Sequence, residues 1–150
     1  MGTDSVMPLG REFHRRKKVL VVDDNVESVK LATYILDHLD CDVTMAFDGD
    51  HCVPYLVSQK FDLVILDWSM PILGGRDVLL SSDRIIDKKP AMGTSNLVIP
   101  VVIYSGHDLQ DLDIPQCRHF TVQSFISKEM NIPKMMKTLG DTLRRIDDAA

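Results

Sequence analysis

The order of apolar and polar positions along the chain predicts strands that alternate with helices. Short runs of Val, Ile and Leu are typical of strands buried on both faces of a parallel sheet. Five such strands are expected, at Lys18–Val22, Asp42–Ala46, Leu63–Leu66, Leu97–Tyr104 and Ser124–Ser127. Because helical segments separate these strands, the predicted fold class is α/β, a five-stranded parallel sheet with helices on both faces.

The helical segments are recognised by apolar residues that recur three and four positions apart. They cover Val29–Leu39, the stretch from the Asp48-Gly49-Asp50 turn to about Gln59, Arg76–Ile86, Asp108–Leu112 and Pro133–Ile146. Proline lacks an N–H group and suits only the first turn of a helix. Pro54 is therefore expected near the first turn of the second helix, delaying its start, and Pro115 keeps the fourth helix short or irregular.

One long connection stands out between the third helix and the fourth strand. Asp87–Asn96 has no apolar periodicity and contains both a proline and a glycine, which break regular structure. A loop of this length inside a compact domain is uncommon. It is either a binding loop or a tolerated insertion.

Polar groups follow four of the predicted strands. Asp23 and Asp24 end the first, Asp67 the third, Ser105 the fourth and Lys128 the fifth. The carboxyl ends of parallel strands share one edge of the sheet, which is where open α/β folds bind ligands. Three carboxylates that meet there repel one another unless a hard cation binds them, so the pattern predicts Mg²⁺.

The residue types at this edge suggest phosphoryl transfer to a carboxylate. Asp67 would attack phosphorus, and a metal held by Asp24 and Asp67 would neutralise charge on the phosphoryl oxygens. Ser105 and Lys128 would contact the remaining oxygens. Each residue alone also fits an ordinary role, as a helix cap, a turn residue or a solvated charge, but five such residues at one edge favour a functional site.

Size and charge limit the remaining possibilities. The chain has 150 residues and a net charge of −5, enough for one domain, predicted at residues 17–148, behind a flexible leader at 1–16. The basic run Arg15–Lys18 could contact an anionic surface or nucleic acid, but a solvated leader is the favoured interpretation, and the acidic remainder argues against DNA binding. Three unpaired cysteines and the lack of a signal sequence predict reduced thiols and a cytoplasmic protein.

The residues at the strand ends resemble a known family. The shared set consists of two acids after the first strand, an acid-to-proline segment after the third, a following glycine, a hydroxyl and a lysine, namely Asp23, Asp24, Asp67-Trp68-Ser69-Met70-Pro71, Gly75, Ser105 and Lys128. This set is similar to that of bacterial response regulator receiver domains, which are CheY-like. The resemblance covers about Lys17 to Asp147 and implies a (βα)5 flavodoxin-like receiver fold.

The resemblance also implies roles for the acids and the lysine. Asp67 would be the phosphoacceptor, and Lys128 the lysine that contacts the phosphoryl group. Asp23 and Asp24, with Asp67 and the backbone carbonyl of Ser69, would bind Mg²⁺ or Mn²⁺.

A switch is implied as well. Ser105 takes the place of the switch hydroxyl and Phe125 that of the switch aromatic, whose ring would turn inward when phosphorylation draws Ser105 toward the phosphate. This would change the face formed by the fourth predicted helix, the fifth strand and the last helix. Two features depart from the family pattern: Glu129 replaces the usual proline and could compete for Lys128, and Pro115–Phe120 replaces the usual sequence before the fifth strand.

The resulting hypothesis is a phosphorylation-dependent switch in a two-component phosphorelay. A histidine kinase or a histidine phosphotransfer protein would supply the phosphoryl group, and an unknown output protein would read it. We expect a monomer or weak homodimer, no membrane or direct nucleic acid binding, and no turnover of a separate substrate.

Two alternatives remain open. One is a degenerate receiver that binds its partner without phosphorylation. The other is a small phosphatase or a flavodoxin-like cofactor protein. Ser69 counts against the phosphatase, since an aspartyl phosphatase would carry an acid at that position, and Asp23-Asp24 count against the flavodoxin-like protein, since they would repel a flavin phosphate.

Overall fold

The computed structural model describes residues 15–88, 98–106 and 112–149. Strands and helices alternate as predicted through most of the chain, in the order β1 (Lys17–Val22), α1 (Val26–His38), β2 (Cys41–Ala46), α2 (Gly49–Ser58), β3 (Leu63–Asp67), α3 (Gly75–Lys88), β4 (Ile99–Ser105), β5 (Phe120–Ser127) and α4 (Ile132–Ala149). Residues 1–14 of the predicted leader at 1–16, and most of the predicted Asp87–Asn96 loop, lie outside the described residues.

The five strands form one parallel sheet in the order β2-β1-β3-β4-β5. The prediction of a five-stranded parallel α/β fold is confirmed. Side chains alternate between the two faces of each strand, so the sheet separates two cores. One core packs against α2 and α3, and the other packs against α1 and α4.

Most residues of the central strands are buried, which explains why their sequences are almost purely apolar. All five residues of β3 are buried, including Asp67 at its end, and the last four residues of β1 are buried as well. Leaving Val and Leu side chains in water here would cost about 1.5–3 kcal/mol each. The apolar content of these strands therefore follows from burial on both faces.

The expectation that Pro54 lies in the first turn of the second helix and delays its start is wrong. α2 begins at Gly49, directly after its N-cap Asp48, whose side chain accepts a hydrogen bond from the N–H of His51 at 2.7 Å. Pro54 consequently lies inside the helix, in the second turn, and does not delay its start. The strong cap explains why the helix forms ahead of the proline.

The fifth strand is longer than predicted. β5 begins at Phe120, four residues before the expected Ser124. Its pairing with β4 shifts between Val122 and Ser124, so that Gln123 forms a β-bulge. A bulge interrupts the alternation of apolar and polar positions, and this concealed the first half of the strand.

The segment before β5, residues 112–119, is an irregular connection that we call the strap. The fourth predicted helix, Asp108–Leu112, falls outside the described residues except for Leu112, and no helix occurs within 112–119. Near one end of the strap, Asp113 pairs with Arg76 of α3 at 3.0 Å. At the other end, the carboxylate of Asp83 accepts N–H bonds from His119 at 2.8 Å and from the preceding residue at 3.1 Å. The strap is thus attached along α3.

The basic run at the start of the chain is bound to the domain where it is described. Arg15 forms a double hydrogen bond with Asp62, at 2.8 and 3.0 Å. Lys17 pairs with Asp147 of α4, and the ammonium of Lys18 lies 4.9 Å from the ring centroid of Phe61. These contacts give the basic residues a structural role at the start of β1. Within the described residues, no helix is both long and apolar enough to cross a membrane.

Candidate functional site

The ends of β1 and β3 bring three carboxylates together. Asp23, Asp24 and Asp67 each offer an oxygen, and these oxygens lie within 4.8 Å of one another. Asp23 and Asp67 are buried and Asp24 is exposed. Sequence reasoning predicted this cluster, since β1 and β3 are adjacent parallel strands.

The loop after β1 holds Asp23 in place. Its Oδ1 accepts the backbone N–H of Asn25 at 2.9 Å, and its own N–H donates to the carbonyl of Ala46 at the end of β2. Asn25 is also the N-cap of α1, accepting the N–H of Ser28 at 3.1 Å. One short turn therefore ends the strand, orients the carboxylate and starts the helix.

The loop after β3 holds Asp67 in a similar way. Its Oδ1 accepts the N–H of Ser69 at 3.3 Å. Gly75 begins α3 and donates its N–H to the carbonyl of Trp68 at 3.0 Å. A Cβ on Gly75 would lie 2.8 Å from the carbonyl oxygen of Asp67. The close approach of α3 to the acid therefore requires glycine at this position.

Lys128 is the cation of the site. Its Nζ lies 2.8 Å from Oδ2 of Asp23 and 3.5 Å from Oδ2 of Asp67. Its backbone N–H donates to the carbonyl of Ser105 at 2.9 Å, which joins the ends of β4 and β5. In the described part of the chain, no ion pair joins Lys128 to Glu129, and the peptide bond between them is trans.

Burial and neighbouring charges shift the pKa values of Asp67 and Lys128. Burial, followed by the charge of Asp23, raises the pKa of Asp67 to about 7, while Lys128 and the Ser69 N–H oppose the rise. Burial alone would lower the pKa of Lys128, but the hydrogen bond to Asp23 and the charge of Asp67 raise it above its ordinary value. Lys128 therefore stays charged, and Asp67 gains a basic oxygen suited to attack on an electrophile.

The two residues of the predicted switch lie on neighbouring strands. Ser105 is fully buried at the end of β4, opposite Ser127 in the register with β5. Phe125 pairs with Ile103 and is 40% exposed. Since 105 and 103 share a face of β4, Ser105 and Phe125 belong to the same side of the sheet.

Tyr104 is a neighbour of the site that sequence reasoning missed. Its ring centroid lies 5.3 Å from the ammonium of Lys128, and its side chain is buried. Tyrosine is common in strands, so nothing in the pattern of this strand singles the residue out.

The five-stranded parallel α/β fold is the fold of CheY-like receiver domains. The sequence model of the response regulator receiver domain matches residues 19–140. The chain therefore belongs to the response regulator receiver domain family.

Similar proteins come from several signalling systems. The chain is 40% identical over 134 residues to the alkaline phosphatase synthesis transcriptional regulatory protein PhoP of Bacillus subtilis, covering 89% of this chain and 51% of PhoP. It is 32% identical over 102 residues to the CAI-1 autoinducer sensor kinase/phosphatase CqsS of Vibrio cholerae, covering 68% of this chain and 14% of CqsS. The chain thus spans about half of the length of these relatives or less.

A solved structure shares the fold. The receiver domain of sensor histidine kinase PA1611 from Pseudomonas aeruginosa superposes with a TM-score of 0.61 at 21% identity, covering 85% of this chain and 97% of that one. That structure has magnesium coordinated in its active site cleft.

Proposed function

We propose that this chain is a phosphorylation-dependent switch of a two-component phosphorelay, with Asp67 as the phosphoacceptor. The observation that carries the proposal is a buried carboxylate at a strand end, with an ammonium 3.5 Å away and two further acids beside it. A carboxylate oxygen of Asp67 attacks phosphorus of a phosphohistidine on a histidine kinase or phosphotransfer protein. The P–N bond breaks, the imidazole nitrogen takes up a proton, and an acyl phosphate forms.

The donor set fits Mg²⁺ or Mn²⁺. Hard cations prefer carboxylate and carbonyl oxygens, and Asp23, Asp24 and Asp67 supply three carboxylates. The resemblance to receiver domains implies the backbone carbonyl of Ser69 as a further ligand. When bound, the cation supplies positive charge that offsets the negative charge of the phosphoryl oxygens. Without a cation, the two buried acids have only the ammonium of Lys128 within ion-pair distance in the described part of the chain.

The other residues position and neutralise the phosphoryl group. Lys128 already lies between the two buried acids, from where its ammonium contacts a phosphoryl oxygen on Asp67. The hydroxyl of Ser105 contacts another oxygen from the neighbouring strand. Hydrolysis reverses the modification: water attacks phosphorus, the acyl P–O bond breaks, and the carboxylate of Asp67 is regenerated.

The output follows from the movement of Ser105. When Ser105 moves toward the phosphoryl group, the space it leaves accepts the ring of Phe125, which is 40% exposed in this structure. The surface formed by β5 and α4 changes, and an output protein binds it differently. Aromatic NMR contacts of Phe125, recorded with and without beryllofluoride as a phosphoryl mimic, test this step; a ring that stays exposed contradicts it.

A phosphorylation assay tests the acceptor. Purified protein is incubated with phosphoramidate and Mg²⁺, and intact mass is measured before and after hydroxylamine, which cleaves acyl phosphates. The wild type should gain one hydroxylamine-labile phosphoryl group, Asp67→Asn should gain none, and Asp37→Asn, an exposed acid of α1, should match the wild type. Incorporation that survives in Asp67→Asn refutes the acceptor. Its absence in the folded wild type points to a phosphorylation-independent binding module.

A further inference from the structure

Within the described residues, the ammonium of Lys128 lies near an aromatic ring as well as near two acids. Besides the oxygens of Asp23 and Asp67, its Nζ lies 5.3 Å from the centroid of the Tyr104 ring. An ammonium within about 6 Å of an aromatic centroid is attracted by the negative face of the ring. The ring is therefore part of the environment that determines where this flexible side chain resides.

The sheet places Tyr104 where it can reach both acids and lysine. In the pairing of β3 with β4, Tyr104 stands directly opposite Asp67, and in the pairing of β4 with β5 it stands opposite Ile126. Ile126 and Lys128 are two residues apart in the chain. Side chains on one face recur every second residue, so Tyr104, Asp67 and Lys128 all belong to the side that faces α1 and α4.

The ring of Tyr104 is held in place by packing. Its backbone belongs to a central strand, and its side chain, with 2% of its surface exposed, is buried in the core that packs against α1 and α4. A ring packed in a dense core has little freedom to change its orientation. An aliphatic residue would fill the same space but would offer Lys128 no negatively polarised face.

Lys128 needs such a restraint. Its side chain is 24% exposed and has four rotatable methylene carbons, so alternative positions in solvent are open to it. Each conformation that leaves the acids is unavailable for contact with a phosphoryl group. A rigid ring beside the ammonium removes part of this freedom before the phosphodonor arrives.

We propose that Tyr104 is a positioning residue for Lys128: the ring, buried between the sheet and the helices α1 and α4, holds the ammonium at the acid pair, ready to contact the phosphoryl group on Asp67. The inference rests on the proposed function of Asp67. Tyr104 itself touches neither the phosphodonor nor the phosphoryl group. Its effect on phosphorylation passes entirely through Lys128.

The test is a double-mutant cycle on the rate of phosphorylation by phosphoramidate with Mg²⁺. Tyr104→Phe keeps the ring and should react within about twofold of the wild type, whereas Tyr104→Leu should react about fivefold more slowly, as expected for loss of a partly buried cation–π contact. In the Lys128→Ala background, Tyr104→Leu should have no further effect, because the residue through which it acts is gone. Tyr34→Leu, an exposed tyrosine of α1, serves as the matched control.

A structural role alone would give a different result. If Tyr104→Leu slows the reaction equally with and without Lys128, or if Tyr104→Phe is as slow as Tyr104→Leu, the inference is wrong. Circular dichroism and urea unfolding verify that each variant is folded. If Tyr104→Leu does not fold, Tyr104→Met replaces it in the same cycle. A folded wild type that takes up no phosphoryl group refutes the proposed function itself, and with it the inference.

Discussion

Replacing Asp67 by Asn should stabilise the folded protein, although it removes the proposed phosphoacceptor. Asp67 is 2% exposed and lies next to the buried Asp23, so its negative charge is costly in the folded state. Asn has the same shape and no charge. Its amide still accepts the N–H of Ser69 through oxygen, while Lys128 keeps its ion pair with Asp23 at 2.8 Å.

The size of the effect follows from proton affinity. Folding raises the pKa of Asp67 from its ordinary 3.8 to about 7, with burial as the main cause. Each pKa unit corresponds to about 1.4 kcal/mol, so the charged form of Asp67 costs about 4 kcal/mol in the folded state. A typical domain is stable by about 5–15 kcal/mol, which makes this cost a large fraction of the total.

The sign of the pH dependence follows from linkage. A raised carboxyl pKa means that the folded state binds the proton more tightly than the unfolded state. Below the unfolded pKa of 3.8, Asp67 is protonated in both states and imposes no cost. The wild type then loses stability relative to Asp67→Asn as the pH rises toward about 7, and the full difference remains above that value.

Urea unfolding of the wild type and of Asp67→Asn, repeated at several pH values, measures the difference in their free energies of unfolding. The variant should gain less than about 1 kcal/mol near pH 4 and up to about 4 kcal/mol near pH 8 in the absence of divalent cations. Saturating Mg²⁺ should narrow the gap, because it favours the charged form of the wild type. A difference that is the same at both ends of the range, or a variant less stable than the wild type near pH 8, refutes the reasoning.

Three further substitutions test the supports of the site. Gly75→Ala would place a Cβ 2.7 Å from the Trp68 ring, so the start of α3 must shift, and urea unfolding should show a loss of about 1–3 kcal/mol. Asp83→Asn weakens the two N–H bonds that tie His119 and its predecessor to α3, and hydrogen exchange at these two amides should accelerate about tenfold. Asp24→Asn removes an exposed acid from the cluster, so stability should change by less than about 0.5 kcal/mol, while Mg²⁺ affinity, followed by Trp68 fluorescence, should fall about tenfold.

Matched control substitutions show whether these effects come from the contacts of the site or from the type of substitution alone. In Gly140→Ala, the new Cβ would lie no closer than 3.8 Å to Leu39, so this helical glycine should accept alanine without loss of stability. Asp77→Asn makes the same charge change on α3 at an exposed position and should leave the strap amides unchanged. A neutral Gly75→Ala, unaltered exchange in Asp83→Asn, or unchanged Mg²⁺ affinity in Asp24→Asn would each contradict the contact concerned.

The sheet and its acidic edge could be predicted because the relevant signals are local. Buried parallel strands are continuous apolar runs, and a charge at the end of such a run is conspicuous. Asp23, Asp67 and Lys128 each follow a strand in this way, so the expectation that they meet required only the parallel fold. Their roles in phosphorylation remain predictions.

The strap and the start of β5 could not be predicted, because they depend on contacts distant in the sequence. Asp83 binds backbone N–H groups about 35 residues further along, and Asp87 binds the ring of the buried His119 at 2.8 Å. Nothing near Pro115 or His119 indicates that acids of α3 satisfy these groups. The bulge at Gln123 added a second obstacle by breaking the period of the strand.

Tyr104, the proposed positioning residue, illustrates why such residues are harder to find in a sequence than acids at strand ends. A reactive acid breaks the apolar pattern of its strand, whereas an aromatic residue in β4 conforms to it, since tyrosine is common in strands. Only the register reveals that Tyr104 stands opposite Asp67 and on the same face as Lys128. Register is set by pairing between strands and cannot be predicted from the sequence of either strand alone. Residues that act through a neighbour therefore emerge only when the three-dimensional pairing is known.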